Sequence, residues 1–234
     1  TKKLWDDYLE LKNRSLSLAG LDFSQRLLME VFSWTDIKRT SGLQIEESHY
    51  PITHRSFEGS VPLILRGFDP CEIDQGTYQF GNKNLRRSPY NCLQECLNAD
   101  DNSNWGILMC GNEIRLLHDN PSLVKPSYLS VDLELLIESE RIDEFSILWL
   151  LLHSSRFINT KKGFCIINKW KEEAEKSGER VRGALRDGVK NALVILGNGF
   201  LNHKKNKSLR QALFESHTIS AQQFHEQLLR LIYR

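Results

Sequence analysis

The clearest local signal in this sequence is a pair of apolar runs on either side of a Gly-Asn turn. Trp105-Gly-Ile-Leu-Met-Cys precedes Gly111-Asn112, and Glu113-Ile-Arg-Leu-Leu follows it. A short glycine-containing turn between two such runs is typical of a β-hairpin. From Ile142 onward the pattern changes, because apolar residues recur there at the three- and four-residue spacings of amphipathic helices. The chain is therefore predicted to combine a sheet in its middle with helices in its last third.

The other patterns divide the chain into three segments. Residues 1–48 are predicted to be an N-terminal helical segment, residues 49–137 an α/β module with a small mixed sheet, and residues 138–234 a basic helical connector. The predicted fold class is accordingly α/β, in the broad sense that includes α+β arrangements.

Within the middle segment, residues 50–54 and 61–65 are predicted strands, and residues 66–87 are predicted to be loop. Pro62 has no N–H to donate to a neighbouring strand, which favours an edge or distorted position for the second strand. Ser88-Pro89 is typical of a helix start, with serine as the cap and proline in the first turn.

Composition excludes several classes of protein. Of the 234 residues, 40% are hydrophobic and 26% are charged, which is ordinary globular composition and argues against disorder. No apolar run approaches the roughly 18 residues that span a bilayer, so no membrane partner is expected. The cysteines lack spacings that complete a metal site, so they are predicted to be buried free thiols of a cytoplasmic protein. They are Cys71, Cys92, Cys96, Cys110 and Cys165.

Charge is distributed unevenly along the chain. Residues 1–159 contain 16 Lys and Arg against 23 Asp and Glu, a net charge of −7, whereas residues 160–234 contain 15 against 7, a net charge of +8. The basic C-terminal third predicts contact with a polyanion or with an acidic neighbouring domain. On charge alone, a solvated helical surface that faces the acidic part of the same chain is the favoured explanation of the asymmetry.

Several segments resemble a known family. They are Ser88-Pro-Tyr-Asn-Cys-Leu-Gln-Glu-Cys-Leu-Asn with the hairpin after it, Leu148-Trp-Leu-Leu-Leu-His-Ser-Ser-Arg-Phe, and Leu196-Gly-Asn-Gly-Phe-Leu. Together they resemble the N-terminal region of Eco57I-like adenine-specific DNA methyltransferases, large bacterial restriction-modification proteins that include type IIG enzymes and phage-defence proteins. The resemblance extends over roughly residues 45–234, and the order and spacing of the segments make it more specific than any one motif.

The resemblance implies that this part of the chain does not methylate DNA. The family's catalytic motif is of the Asn-Pro-Pro-Tyr type, and no Pro-Pro occurs in the sequence. Gly197-Asn-Gly199 follows a predicted helix, so it is predicted to be a helix C-terminal cap and not a cofactor loop. The chain also begins without Met and ends in an uncapped helical pattern. A methyltransferase domain that uses S-adenosylmethionine is therefore expected beyond Arg234, and no cofactor is expected in this part.

Many relatives carry a nuclease of the PD-(D/E)xK class in this region, so the resemblance implies a degenerate nuclease-like core. Asp69, Glu72 and Asp74 follow the predicted strand at residues 61–65 and are weak candidates for Mg²⁺ ligands. No Glu-x-Lys follows them, so no metal site is predicted, and a Mg²⁺-dependent endonuclease remains the alternative function. His49, His54 and His118 lie near predicted strand ends without a nucleophile motif, so structural or surface roles are predicted for them.

The predicted function is support of DNA or partner-subunit binding in phage defence. The expected partners are double-stranded DNA, the downstream methyltransferase domain and other defence subunits; a pure protein-interaction module is a further alternative. Basic side chains would contact phosphates without reading bases. The candidates are Arg86, Arg87, Lys161, Lys162, Arg180, Arg182, Lys204, Lys205 and Lys207.

Overall fold

The computed structural model of the chain describes residues 1–67, 70–82, 85–119, 127–158 and 165–233. The helices are α1 (Lys2–Lys12), α2 (Leu16–Arg26), α3 (Pro89–Ala99), α4 (Leu133–Glu138), α5 (Ile142–Leu152), α6 (Ile166–Asn202), α7 (Lys207–Phe214) and α8 (Ala221–Ile232). The strands are β1 (Lys38–Arg39), β2 (Leu43–Ile45), β3 (Ser48–Tyr50), β4 (His54–Ser56), β5 (Val61–Leu65), β6 (Thr77–Asn82), β7 (Leu85–Arg87), β8 (Trp105–Met109), β9 (Glu113–His118) and β10 (Tyr128–Asp132).

The main sheet has six strands in the order β1-β4-β5-β8-β9-β10. Strands β5 and β8 are parallel and the other neighbours are antiparallel. A parallel pair needs a long crossover, and the connection between β5 and β8 contains α3. The predicted α/β fold with a mixed sheet is thus confirmed.

Two predictions based on local signals are also confirmed. Strands β8 and β9 form the predicted hairpin, with Gly111 in the left-handed region at φ 97° and the Cys110 N–H donating to the Glu113 carbonyl at 3.1 Å. The side chain of Ser88 accepts a hydrogen bond from the Asn91 N–H and caps α3, whose first residue is Pro89.

The two faces of the sheet pack into two apolar cores. Side chains alternate along each strand, so Leu63 and Ile107 face one core, and their neighbours Ile64 and Leu108 face the other. The first core also holds buried residues of α1, α2, α4 and α5, and the second holds the buried residues of α3. The sheet is therefore covered on both faces, which explains why β5 is buried at all five positions.

Strand β5 is central, so the edge position inferred from Pro62 is wrong. Pairing of β5 with β8 begins at Leu63, one residue beyond the proline, so the missing N–H interrupts no bond to that neighbour. On its other side Pro62 lies opposite Arg55 of β4. Pro62 thus precedes the β5–β8 ladder, where a missing N–H is tolerated, although it lies within the β4–β5 ladder.

The predicted loop at residues 66–87 contains regular structure. A 3₁₀ helix spans Pro70–Asp74, and β6 and β7 form a separate two-stranded antiparallel sheet. The loop prediction failed because Gly76 and Gly81 break the apolar alternation that marks a strand in sequence. In β6, the successive residues Tyr78 and Gln79 are both exposed, so this strand also lacks the alternation of buried and exposed residues that a half-buried strand shows.

Helix α6 continues through Gly197-Asn-Gly199, so the predicted cap at this position is wrong. Gly197 is buried, and a side chain there would contact Leu228 of α8 at 3.4 Å. The helix ends instead at Asn202, where Arg210 Nη1 donates to the carbonyls of Leu201 and His203 at 2.8 and 3.0 Å. These contacts satisfy carbonyl groups that the end of a helix leaves unpaired.

The described chain divides into two compact units, Thr1–Asn168 and Lys169–Arg234. This division differs from the predicted boundaries at 48/49 and 137/138. The reason is that the helices before the sheet and α4 and α5 after it share one core with the sheet. None of the helices within the described ranges has both the length and the apolar composition that crossing a membrane requires.

Candidate functional site

The predicted nuclease carboxylates do not form a free acidic cluster. Asp69 lies outside the described residues, and Glu72 is exposed on the 3₁₀ helix. Both carboxylate oxygens of Asp74 accept hydrogen bonds from Arg115, Oδ1 from Nη1 at 2.8 Å and Oδ2 from Nη2 at 2.9 Å. Among the described residues, no three His, Cys, Asp or Glu side chains are arranged to hold a metal ion.

Arg115 is the centre of a buried ionic cluster on β9. Its side chain is 7% exposed, its Nε donates to Glu113 Oε1 at 2.7 Å, and its guanidinium lies 4.5 Å from the centre of the Tyr128 ring. Burial alone lowers the pKa of Arg115, but hydrogen bonds to Asp74 and Glu113 reverse that effect and leave the pKa raised. The cluster therefore attaches the 3₁₀ helix to the sheet, and Asp74 has a structural partner.

The described cysteine side chains are buried thiols. Cys92, Cys96, Cys110 and Cys165 are all buried, and none of these four forms a disulfide, which confirms the prediction of buried thiols for them. Burial raises the pKa of the Cys92 and Cys96 thiols to about 12, so both are protonated at neutral pH. A thiol is a nucleophile only as the thiolate, so neither is suited to nucleophilic chemistry.

The two predicted phosphate-binding arginines of the first unit differ in their surroundings. Arg86 is exposed and its guanidinium lies 4.7 Å from the centre of the Tyr78 ring. Arg87 is ion-paired with Glu95 at 2.8 Å, its side chain is 15% exposed, and it lies over the Tyr50 ring. Arg87 is therefore occupied by a structural contact, whereas Arg86 presents its charge to solvent.

The second unit presents a set of exposed cations. Lys161 and Lys162 lie outside the described residues, but the other predicted phosphate-binding residues of this region are all exposed. They are Arg180, Arg182, Lys204, Lys205 and Lys207. Among the described Lys and Arg of this unit, Lys171 alone is ion-paired, to Glu175 at 3.0 Å. Residues 169–234 contain 13 Lys and Arg against 7 Asp and Glu.

Two basic residues of α6 were missed by the sequence analysis. Arg186 and Lys190 are exposed and follow Arg182 at intervals of four residues, which places all three on one face of the helix. The helical spacing in the sequence was sufficient to find them. The structure adds that no described carboxylate is ion-paired with this face.

A cleft in the first unit contains a second group of polar side chains. Its volume is about 380 Å³, and it is lined by residues of α2, β1, β4 and β6 and of the chain that follows β1 and β5. Arg39 of β1 lies opposite His54 of β4 in the antiparallel register, and Arg66 follows β5 directly. The sequence analysis did not single out Arg39 or Arg66.

His54 is held in its neutral form by its hydrogen-bond partners. Thr53 Oγ1 donates to the Leu63 carbonyl, so it accepts from His54 Nδ1 at 2.9 Å, and His54 Nδ1 carries the proton. His54 Nε2 in turn accepts from the side-chain amide of Gln25 at 2.9 Å. Burial lowers the pKa of His54, and the nearby positive charge of Arg39 lowers it further. The predicted structural role fits this arrangement.

The neutral state of His54 predicts acid-sensitive stability. The pKa of His54 is lower in the folded state than its ordinary value of 6.5, so the unfolded state binds more protons between the two values. This contribution to the free energy of unfolding is complete above pH 6.5 and declines as the pH falls through 6.5 towards the folded pKa. Urea unfolding between pH 7 and 5 gives the slope of the free energy of unfolding against pH. We expect His54→Gln to reduce this slope by up to about 1.4 kcal/mol per pH unit.

An exposed histidine provides the control for this measurement. His225 of α8 is exposed, and His225→Gln should leave the slope of the parent chain unchanged. The same pH dependence in His54→Gln and in the parent chain would contradict a buried neutral imidazole at position 54.

Comparisons with protein-family models, with curated proteins and with solved structures gave no match for this chain. Its function is therefore inferred from its own side chains. Two groups of unpaired cations stand out, one on the second unit and one in the cleft of the first unit.

Proposed function

We propose that this chain is a non-catalytic part of a restriction-modification adenine-specific DNA methyltransferase and binds duplex DNA through backbone phosphates. The observation that carries the proposal is the exposed, unpaired basic surface of residues 169–233. In this proposal the second unit is the DNA-contacting part, and DNA or partner-subunit binding serves phage defence. The resemblance of the sequence supplies the biological setting, and the charge distribution supplies the mode of binding.

Phosphate contacts of this kind position a protein on DNA without reading its sequence. Each lysine or arginine that neutralises a phosphate releases condensed counterions, which favours binding at low salt. Arg182, Arg186 and Lys190 extend over about 12 Å along the axis of α6, since an α-helix rises 1.5 Å per residue. Three to four base pairs of a duplex occupy about the same length at 3.4 Å per pair.

A specific observation favours a second candidate function, that of a protein-interaction module. Val181 and Leu185 of α6 are each 65% exposed, and they lie four residues apart on one face of the helix. Exposed apolar side chains of this size are typical of surfaces that another protein covers. DNA binding that weakens with salt and with loss of Lys204, Lys205 and Lys207 would favour the DNA-binding candidate over the protein-interaction module.

The test uses the lysines that join α6 to α7. Changing Lys204, Lys205 and Lys207 together to Glu should weaken binding to all duplex sequences equally, because phosphates are common to them. The three residues are exposed, so the fold should be retained. The slope of log affinity against log salt, measured by fluorescence anisotropy, should flatten by roughly three at most.

A matched triple variant controls for the change in net charge. Lys3, Lys12 and Arg14 are exposed residues on or just after α1, and their joint change to Glu alters the net charge by the same amount. This control should retain the salt slope of the parent chain, apart from a uniform long-range effect on affinity. Equal DNA affinity at low salt in the parent chain and in the variant at positions 204, 205 and 207 would reject the proposed contact.

A further inference from the structure

The cleft of the first unit holds two positive charges that no described side chain neutralises. Arg39 and Arg66 both line it, and neither guanidinium has an ion-pair or hydrogen-bond partner among the described residues. None of the described residues that line this cleft is an Asp or Glu. Arg39 is exposed and Arg66 is half-buried, whereas the more buried Arg115 and Arg87 of the same unit are paired with Asp74 and Glu95.

The remaining described lining groups are polar neutral and apolar side chains. Ser41 contributes a hydroxyl group and the exposed Gln79 of β6 an amide, whereas the Thr40 hydroxyl donates to the Gly42 carbonyl. His54 is 3% exposed, and burial favours its neutral form because it lowers the pKa of the ring. Among the described lining residues, the charge thus comes from the two arginines.

We propose that this cleft binds the phosphate group of a nucleotide or of a nucleic-acid backbone, held by Arg39 and Arg66. A guanidinium presents several N–H donors in a planar fork that matches the oxygens of a phosphate. The described lining residues disfavour a metal cation, since they offer two positive charges and no carboxylate. Its lining also favours a polar ligand over an apolar one, because hydroxyl, amide and guanidinium groups would otherwise be desolvated without partners.

The elements that form the cleft hold the two arginines in place. Arg39 is in the β1–β4 register opposite His54, and the Thr40 N–H donates to the Thr53 carbonyl at 2.9 Å. The backbone N–H of Arg66 donates to the Met109 carbonyl of β8 at 3.1 Å, which extends the β5–β8 pairing by one residue. The backbones are thus fixed, so little ordering of the chain opposes phosphate binding.

Binding is tested with the whole 234-residue chain and three probes: inorganic phosphate, adenosine triphosphate and a 20-base-pair DNA duplex. Isothermal titration calorimetry and the NMR signals of the His54 ring, which lies beside Arg39, should both show saturable binding of inorganic phosphate. We expect Arg39→Gln and Arg66→Gln each to weaken that binding about tenfold, since a charge-assisted hydrogen bond contributes at least about 1.4 kcal/mol. Circular dichroism of each variant establishes that it is folded.

Two matched variants separate this site from others. Arg14→Gln removes an exposed, unpaired cation of the same unit outside the cleft and should leave phosphate binding unchanged. The variant with Glu at positions 204, 205 and 207 should bind inorganic phosphate as the parent chain does, because those lysines are not part of the cleft. The result for phosphate binding at the cleft can therefore be obtained whether or not the second unit binds DNA as proposed.

The three probes decide the source of the phosphate. Loss of duplex binding in the Arg39 and Arg66 variants would support the cleft as a backbone-phosphate contact. Loss of triphosphate binding with unchanged duplex binding would support it as a nucleotide site. Absence of saturable phosphate binding, or equal binding by the parent chain and the folded Arg39→Gln, Arg66→Gln double variant, would overturn the proposal.

Discussion

Gly67→Ala is expected to lower the free energy of unfolding by about 3 kcal/mol or more, at the upper end of the range for overpacking. A Cβ atom at Gly67 would lie 2.0 Å from the Leu16 carbonyl oxygen and 2.6 Å from Ser17 Cα. These are backbone atoms of the first turn of α2, so no side-chain rotation can relieve the clash. Urea unfolding followed by circular dichroism measures the change.

Two other glycines serve as comparisons: Gly20, which lies on the α2 side of the same contact, and Gly183, which has open space around it. A Cβ at Gly20 of α2 would lie 2.3 Å from Gly67 Cα, so Gly20→Ala should be similarly destabilising. Gly183 of α6 has no atom within 4 Å of its Cβ position. Gly183→Ala should therefore stabilise its helix by about 1 kcal/mol, the ordinary difference in helix propensity. A stable Gly67→Ala protein would show that α2 and the chain after β5 are not in direct contact.

Arg115→Leu is expected to lower the free energy of unfolding by about 3 kcal/mol, because removing one member of a buried ionic cluster leaves the others without compensation. The Glu113 side chain is 17% exposed and, among the described residues, would retain only the hydrogen bond from Ser130. The 3₁₀ helix would lose both hydrogen bonds that Asp74 accepts from Arg115. Thermal and urea unfolding measure the loss.

Asp74→Asn is the graded comparison for the same cluster. The Asp74 side chain is 57% exposed, and Arg115 keeps Glu113 as a partner when the Asp74 charge is removed. We expect a cost of about 1 kcal/mol, which is a typical net value for a hydrogen bond. If Asp74→Asn proved as damaging as Arg115→Leu, Asp74 and not Arg115 would be the centre of the cluster.

Local sequence signals predicted the parts of the fold that local physics determines. The β8–β9 hairpin and the start of α3 depend on residues within a few positions of each other, namely Gly111 and the Ser88-Pro89 pair. The central position of β5 could not be predicted, because it depends on β8, which is more than 40 residues away. The continuation of α6 through Gly197 was also missed, because Gly197 lies against Leu228 of α8, which is separated from α6 by α7.

The candidate sites divide in the same way. The basic face of α6 follows from the intervals of four residues that separate Arg182, Arg186 and Lys190, which the sequence displays directly. The cleft is different, because Arg39 lies on β1 and Arg66 follows β5, with β4 between these strands in the sheet. Both residues line one cleft only when β1, β4 and β5 pair. Asp74 was a candidate ligand in sequence because its partner Arg115 is 41 residues away and belongs to another strand.

The buried thiols make each face of the sheet separately observable. Cys92, Cys96 and Cys110 belong to the core on the α3 side, and Cys165 belongs to the core on the other side. A thiol reagent can reach these side chains only when the surrounding core opens, so the rate of modification reports the free energy of that opening. Mass spectrometry of modified peptides would then assign an opening event to one layer of the fold or to the other, and no cysteine has to be introduced by mutation.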